Sequence, residues 1–288
     1  MSRLFEALQR SESEQAGVPS VPLSSSAAEL LQAAERSAED SVTNYLGQFQ
    51  LVHAAPPPNG KLICLTAKES LGAEKFRFLG VRLRQLQQNR PLKKILVTST
   101  LPEEGKSMVS ANLAATLARK ESQKILLLEG DLRRPTLPQQ LGLSRTPGLS
   151  EWLQGEFCPI TNIYRLEGCG FWFLPAGTPP ENPLELMQSG RLSGLMEHLE
   201  AWFDWIVIDS PPVLPLADTS VWERLADGVL LVTREGTTEK QQLQRGLQAL
   251  EPAKLLGAVV NCATDTHHDN YYQRYGPGAV PGHGNPQK

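Results

Sequence analysis

Val97-Thr98-Ser99-Thr100-Leu101-Pro102-Glu103-Glu104-Gly105-Lys106-Ser107 carries an apolar strand into a loop and then into a helix that opens on Gly-Lys-Ser. Ile95, Leu96 and Val97 predict a short buried strand. Met108, Val109, Leu113, Ala114 and Leu117 fall at helical spacing over residues 107–118. Backbone N–H groups at a helix start point at an anion, and the helix dipole adds partial positive charge. Lys106 then reaches the terminal phosphates of a nucleoside triphosphate, and Ser107 offers a hydroxyl to magnesium. The stretch predicts a phosphate cradle formed by Thr100, Pro102, Glu103, Glu104, Gly105, Lys106, Ser107 and Met108. Thr100 stands at the first glycine position of the usual pattern, so the motif needs support from elsewhere in the chain.

That support begins with the next strand. Residues 124–128 (Lys-Ile-Leu-Leu-Leu) are too short and too apolar for a surface element and predict a strand buried on both faces of a parallel sheet. The strand ends in Glu129-Gly130-Asp131, and two carboxylates one residue apart project from the same side of the chain. In open α/β sheets ligands bind beyond the carboxyl ends of the strands, which places both acids beside the phosphates. A further strand, Trp205-Ile206-Val207-Ile208-Asp209, carries an aspartate at its tip and is stopped by Ser210-Pro211-Pro212. Asp209 at that place holds magnesium opposite Ser107, as in phosphate-loop nucleotidases.

The remaining pattern completes an α/β fold, a mostly parallel sheet flanked by helices on both faces. Residues 171–174, 229–233 and 256–260 predict strands. Helices are predicted over 68–88, with Phe76, Leu79, Leu83 and Leu86 on one face, and over 192–202 and 238–250; residues 136–170 look less regular. Asn261, at the end of the last strand, completes the nucleotide-binding set. Residues 1–60 are rich in Ser, Ala, Gln and Glu, with marginal helical signals, and close on Ala55-Pro56-Pro57-Pro58-Asn59-Gly60, a stiff linker. The expected organisation is an extension and linker over 1–60, a nucleotide-binding domain over 61–262 and a flexible tail over 263–288. The tail is rich in Gly, Pro, His and Asn and carries Tyr271, Tyr272 and Tyr275, three of the five tyrosines.

Composition narrows the classes. With 28 basic and 31 acidic residues, no global field recommends a nucleic-acid partner. Cys64, Cys158, Cys169 and Cys262 form no C-x-x-C pair, which indicates neither a zinc site nor a disulfide framework and suits a reducing cytoplasm. No apolar run approaches the roughly 20 residues that cross a bilayer, and no signal-peptide order opens the chain.

Over roughly residues 65–275 the sequence resembles the bacterial tyrosine kinases of capsule and exopolysaccharide synthesis. Thr98-Ser99-Thr100-Leu101-Pro102-x-Glu104-Gly105-Lys106-Ser107 resembles their first Walker motif, in which the first glycine is likewise absent. Residues 128–135 (Leu-Glu-Gly-Asp-Leu-Arg-Arg-Pro) resemble their additional acidic motif, and residues 206–212 (Ile-Val-Ile-Asp-Ser-Pro-Pro) their second Walker motif. The resemblance implies phosphoryl transfer from MgATP to the tail tyrosines, chiefly those of a neighbouring subunit. Lys106, Glu129, Asp131 and Asp209 are the implied catalytic residues, Ser107 and Asp209 the magnesium ligands, and Tyr271, Tyr272 and Tyr275 the phosphoacceptors. It also implies a homo-oligomer and a membrane-bound polysaccharide co-polymerase or activator that recruits the kinase to the inner face of the cell membrane. Two departures stand out: Glu129 where the family usually has aspartate, and Gly80, Val81 and Arg82 after the Glu74-x-x-Arg77 subunit-contact motif, where Arg, Thr and Asn are common. Two other readings compete. A partitioning or positioning ATPase of the deviant-Walker class would carry a signature lysine where this chain has Leu101, and a nucleotide-binding regulator with little transfer activity is suggested by Glu129 and Glu103.

Overall fold

A computed structural model describes residues 49–58, 60–155 and 162–263. Eight strands form one sheet: β1 (Gln50–His53), β2 (Lys94–Ser99), β3 (Ile125–Glu129), β4 (Tyr164–Glu167), β5 (Trp172–Leu174), β6 (Trp205–Asp209), β7 (Gly228–Arg234) and β8 (Leu255–Asn261). Their spatial order is β1-β4-β5-β3-β6-β2-β7-β8. All pairings are parallel except β4 with β5.

The helices are α1 (Ile63–Thr66), α2 (Leu71–Asn89), α3 (Lys106–Leu117), α4 (Leu137–Leu141), α5 (Leu149–Gln154), α6 (Pro183–Met187), α7 (Arg191–Trp202), α8 (Asp218–Leu225) and α9 (Lys240–Gln248). None of these is long and apolar enough to cross a membrane.

The central strands read as apolar blocks because both their faces are covered. Every residue of β3 and β6 is buried, as are Ile95, Leu96 and Val97 of β2. α3 lies against this sheet with ten of its twelve residues buried, so small residues (Ala111, Ala114, Ala115) let its backbone approach closely. α2 starts at Ser70, whose hydroxyl accepts from the Ala73 N–H at 3.2 Å, and carries Glu74 in its first turn. It packs on α3 where Gly80 meets Thr116; a Cβ on Gly80 would come within 3.1 Å of the threonine methyl.

Two elements depart from the sequence reading. β1 lies within residues expected to be extension and linker, and the sheet therefore begins ten residues ahead of the expected boundary at residue 60; Phe49 and Ala54 beside it are buried. β4 lies in the region read as irregular, and turns back on β5 through Glu167-Gly168-Cys169-Gly170, with both glycines at positive φ. The expected helical character of residues 1–48 falls outside the described residues, as does the 264–288 tail.

Candidate nucleotide and phosphoryl-transfer site

The parallel strands deliver their carboxyl ends to one edge of the sheet, and there the predicted residues meet. Glu129 and Asp209 are directly paired in register across β3 and β6, and Asp209 is paired with Val97 of β2 on its other side. The loop after β2 turns back into α3 through Gly105, which adopts φ 96°. Glycine is required at that turn, since a Cβ would also meet the Asn261 side-chain amide at 2.2 Å.

Lys106 begins α3 and its amine lies 3.1 Å from Asp131 Oδ2, with both side chains largely buried. Burial works to lower the lysine pKa, but Asp209 and Asp131 outweigh it and hold the amine above its ordinary value. The charge on Lys106 is thus secured before any phosphate arrives. Asp131 Oδ1 also accepts from the Arg134 N–H at 3.1 Å, which fixes its carboxylate.

Asp209 is buried, accepts from Ser110 Oγ at 3.2 Å, and has the Ser107 hydroxyl near enough to favour its ionised form. Its Oδ2 is buried and has no partner. Burial pushes its pKa up to about 6 against the pull of Lys106, with Asp131 adding to the rise. A buried carboxylate oxygen without a donor, with the Ser107 hydroxyl nearby, fits a hard oxygen-seeking cation completed by phosphate and water oxygens. Ser107 and Asp209 are the residues that would hold magnesium there.

Glu129 braces the loops around the site. Its Oε1 accepts from the Thr136 and Leu137 N–H groups, both at 2.7 Å, and its Oε2 accepts from the Ala176 N–H at 3.0 Å. Both oxygens accept from main-chain N–H groups, whereas the Asp131 carboxylate lies against the Lys106 amine. Burial raises the Glu129 pKa to about 7 although the three N–H groups favour the ionised form, and Asp209 adds to the rise.

The loop residues divide similarly. Glu104 is buried, accepts from the Leu101 N–H at 2.7 Å and from the Thr238 hydroxyl, and its carbonyl accepts from Asn261 Nδ2 at 2.9 Å. The Glu104 and Asn261 side chains therefore brace the loop. Thr100 packs against Gly246 of α9, where a Cβ would come within 2.9 Å of its hydroxyl. Pro102 and Glu103 are exposed, Glu103 at φ 65°, and Met108 is half-buried against the core. Tyr271, Tyr272 and Tyr275 lie outside the described residues.

Three residues of the site escaped the sequence reading. Ser110 is a buried hydroxyl one turn beyond Ser107 in an apolar helix, a signal that was available. Thr238 and Trp222 left none. The Trp222 ring donates to the Gly130 carbonyl at 3.0 Å and lies so close that a Cβ on Gly130 would meet it at 2.6 Å. This contact explains the glycine between Glu129 and Asp131.

A β-loop-α cradle with a buried lysine, a hydroxyl and acids from two neighbouring strand tips defines a phosphate-loop nucleotide-binding protein. Comparison with known proteins agrees: the family model ParA, described as NUBPL iron-transfer P-loop NTPase, matches residues 91–274. The tyrosine-protein kinase YwqD of Bacillus subtilis is 33% identical over 212 residues, which cover 73% of this chain and 89% of YwqD. EpsB of Ralstonia nicotianae is 34% identical over 206 residues; these cover 70% of this chain but only 27% of EpsB. Among solved structures, the chimerical protein CapA2B2 superposes with TM-score 0.66 at 29% identity, covering 77% of this chain and 97% of that one. The chain belongs to the bacterial tyrosine-protein kinases, built on the P-loop NTPase fold.

Proposed function

We propose that the chain transfers the γ-phosphoryl group of ATP to tyrosine hydroxyls, with Tyr271, Tyr272 and Tyr275 of its tail as acceptors. The observation that carries this reading is the convergence of Lys106, Asp131 and Asp209 at one sheet edge, with one oxygen of Asp209 buried and unpartnered. Lys106 and the first-turn N–H groups of α3, which have no acceptor within the helix, neutralise the β and γ phosphates. When bound through Ser107 and Asp209, magnesium supplies further neutralisation of charge on the phosphate oxygens.

As the lysine amine turns to the phosphates, Asp131 is freed to accept the proton of a phenol whose ordinary pKa is near 10. The phenolate oxygen forms a bond to the γ-phosphorus, the bond to the β–γ bridging oxygen breaks, ADP leaves and the proton rests on Asp131. The protein's contribution is positioning and charge, with no covalent intermediate.

At the level of the cell, the reading is regulation of exopolysaccharide or capsule synthesis or export from the cytoplasmic side of the membrane. The chain would act as a homo-oligomer recruited by a membrane-bound co-polymerase or activator, with no nucleic-acid partner. Each phosphate adds about −1.5 to −2 charges to the tail, enough for crowded tails to repel one another. The test is incubation with γ-labelled ATP and magnesium. Label should accumulate on the parent and be lost when Tyr271, Tyr272 and Tyr275 are all replaced by phenylalanine; unchanged label on that variant would rule the tail out as acceptor.

A further inference from the structure

The loop that carries Asp131 is gripped from α8, a helix outside the phosphate cradle. Asp218 and Trp222 lie four residues apart and so share one face of that helix. The Trp222 indole N–H donates to the Gly130 carbonyl at 3.0 Å, on one side of Asp131. On the other side, Asp218 accepts from Arg133 Nε at 2.7 Å and from its Nη2 at 3.1 Å, a two-point ion pair. Both α8 side chains are buried, Asp218 at 1% exposure and Trp222 at 0%. Packing alone leaves the indole N–H groups of Trp172 and Trp205 without a protein acceptor; that of Trp222 instead meets the loop.

These contacts fix the two peptide groups on which the Asp131 carboxylate depends. A peptide is planar, so a carbonyl held at Gly130 also sets the N–H and Cα of Asp131. The Gly130 N–H donates in turn to the Asp209 carbonyl at 2.6 Å. The Arg134 N–H, which donates to Asp131 Oδ1 at 3.1 Å, belongs to the peptide that leaves Arg133, so the anchored guanidinium steadies that donor. α8 is itself tied to the chain beyond Asp209. The Thr219 hydroxyl donates to the Pro211 carbonyl at 2.9 Å, and the Thr98 hydroxyl of β2 donates to the same oxygen at 2.7 Å. One helix therefore links the tips of β3 and β6.

We propose that Trp222 and Asp218 are positioning residues: they hold Asp131 where it meets Lys106, and so set the rate of phosphoryl transfer by acting through that acid. The inference rests on the transfer reading above for the reaction, and on geometry alone for the grip. A shift of about 1 Å at a reacting group costs up to about 100-fold in rate. Loss of either contact therefore lowers kcat, while Lys106, Ser107 and the first-turn amides of α3 keep their hold on nucleotide.

The test compares two full-length variants. Trp222→Phe keeps an aromatic ring and removes the N–H. Asp218→Asn keeps the size and removes the charge; Arg133, 37% exposed, then turns to water, so this variant folds even where the smaller ring does not. In each, kcat for tyrosine phosphorylation should fall about tenfold or more while the KM for ATP stays within about twofold. Adding Trp222→Phe to Asp131→Asn should cost less than about twofold more, because the acid it positions is already gone. Hydrogen–deuterium exchange of the nucleotide-free variants should quicken in residues 130–134 and stay at the parental rate in residues 100–107, the pattern of a local release. Parental kcat, an equal loss of ATP affinity, a further loss of the same size on Asp131→Asn, or exchange that quickens equally in both segments would overturn the proposal. A parent that phosphorylates no tyrosine would reject the transfer reading; exchange quickened only in residues 130–134 would still retain the grip on Asp131, and unchanged exchange there would overturn it.

Discussion

Glu129 shows how one methylene changes the task of an acid. Its carboxylate reaches three main-chain N–H groups from two loops, so it joins the chain after β3 to the chain after β5. Glu129→Gln keeps the size but replaces one acceptor oxygen with a donor that faces an N–H. The loss expected is about 1–3 kcal/mol, read as a lower denaturation midpoint at pH 8, with nucleotide affinity little changed. A midpoint equal to the parent's would mean that these bonds contribute nothing. The sequence disclosed an acid here, and a departure from aspartate. It could not disclose the reach, because Ala176 is brought close only by the pairing of β3 with β5. Ser110 went unread although its hydroxyl, one turn beyond Ser107, stands among apolar neighbours.

The phosphate loop is the element on which binding depends, and it is braced from outside itself. Glu104 links the Leu101 N–H to Thr238, and Asn261 fixes the Glu104 carbonyl from the end of β8. Gly105→Ala would force a side chain into a left-handed turn, costing about 1–2 kcal/mol, and push it into the Asn261 amide, 2.2 Å from the new carbon. ATP affinity should fall at least tenfold by calorimetric titration, while circular dichroism shows the sheet intact; parental affinity would show that the turn tolerates the side chain.

The strands that frame this loop were legible from their apolar blocks, because burial on both faces fills the body of each strand with apolar side chains. β1 and β4 were not, for a physical reason: each has four residues at or near the edge, with exposed positions along it, so neither presents an apolar block. The brace from Thr238 depends on tertiary contact and has no local signature.

Across the whole molecule, acids are held at the sheet edge in a protonation balance set by burial. Glu129 moves from 4.5 to about 7 and Asp209 from 3.8 to about 6 on folding. Between these limits the folded chain binds more protons than the unfolded one, so their contribution to stability is complete below about pH 4 and is lost as pH rises toward 7. The melting temperature of the nucleotide-free chain should therefore fall across that window, and Asp209→Asn should flatten the fall. A magnesium nucleotide, which favours ionised Asp209, should stabilise more at pH 8 than at pH 5. A slope that Asp209→Asn leaves unchanged would count against the buried, unpaired state of this acid.

The central claim is that the cationic amine of Lys106 and the acids of two strand tips act together on one triphosphate. Intact-mass spectrometry after incubation with MgATP tests it most directly. The account predicts one to three phosphate additions on the parent chain and none on Lys106→Met; equal additions on both would contradict it.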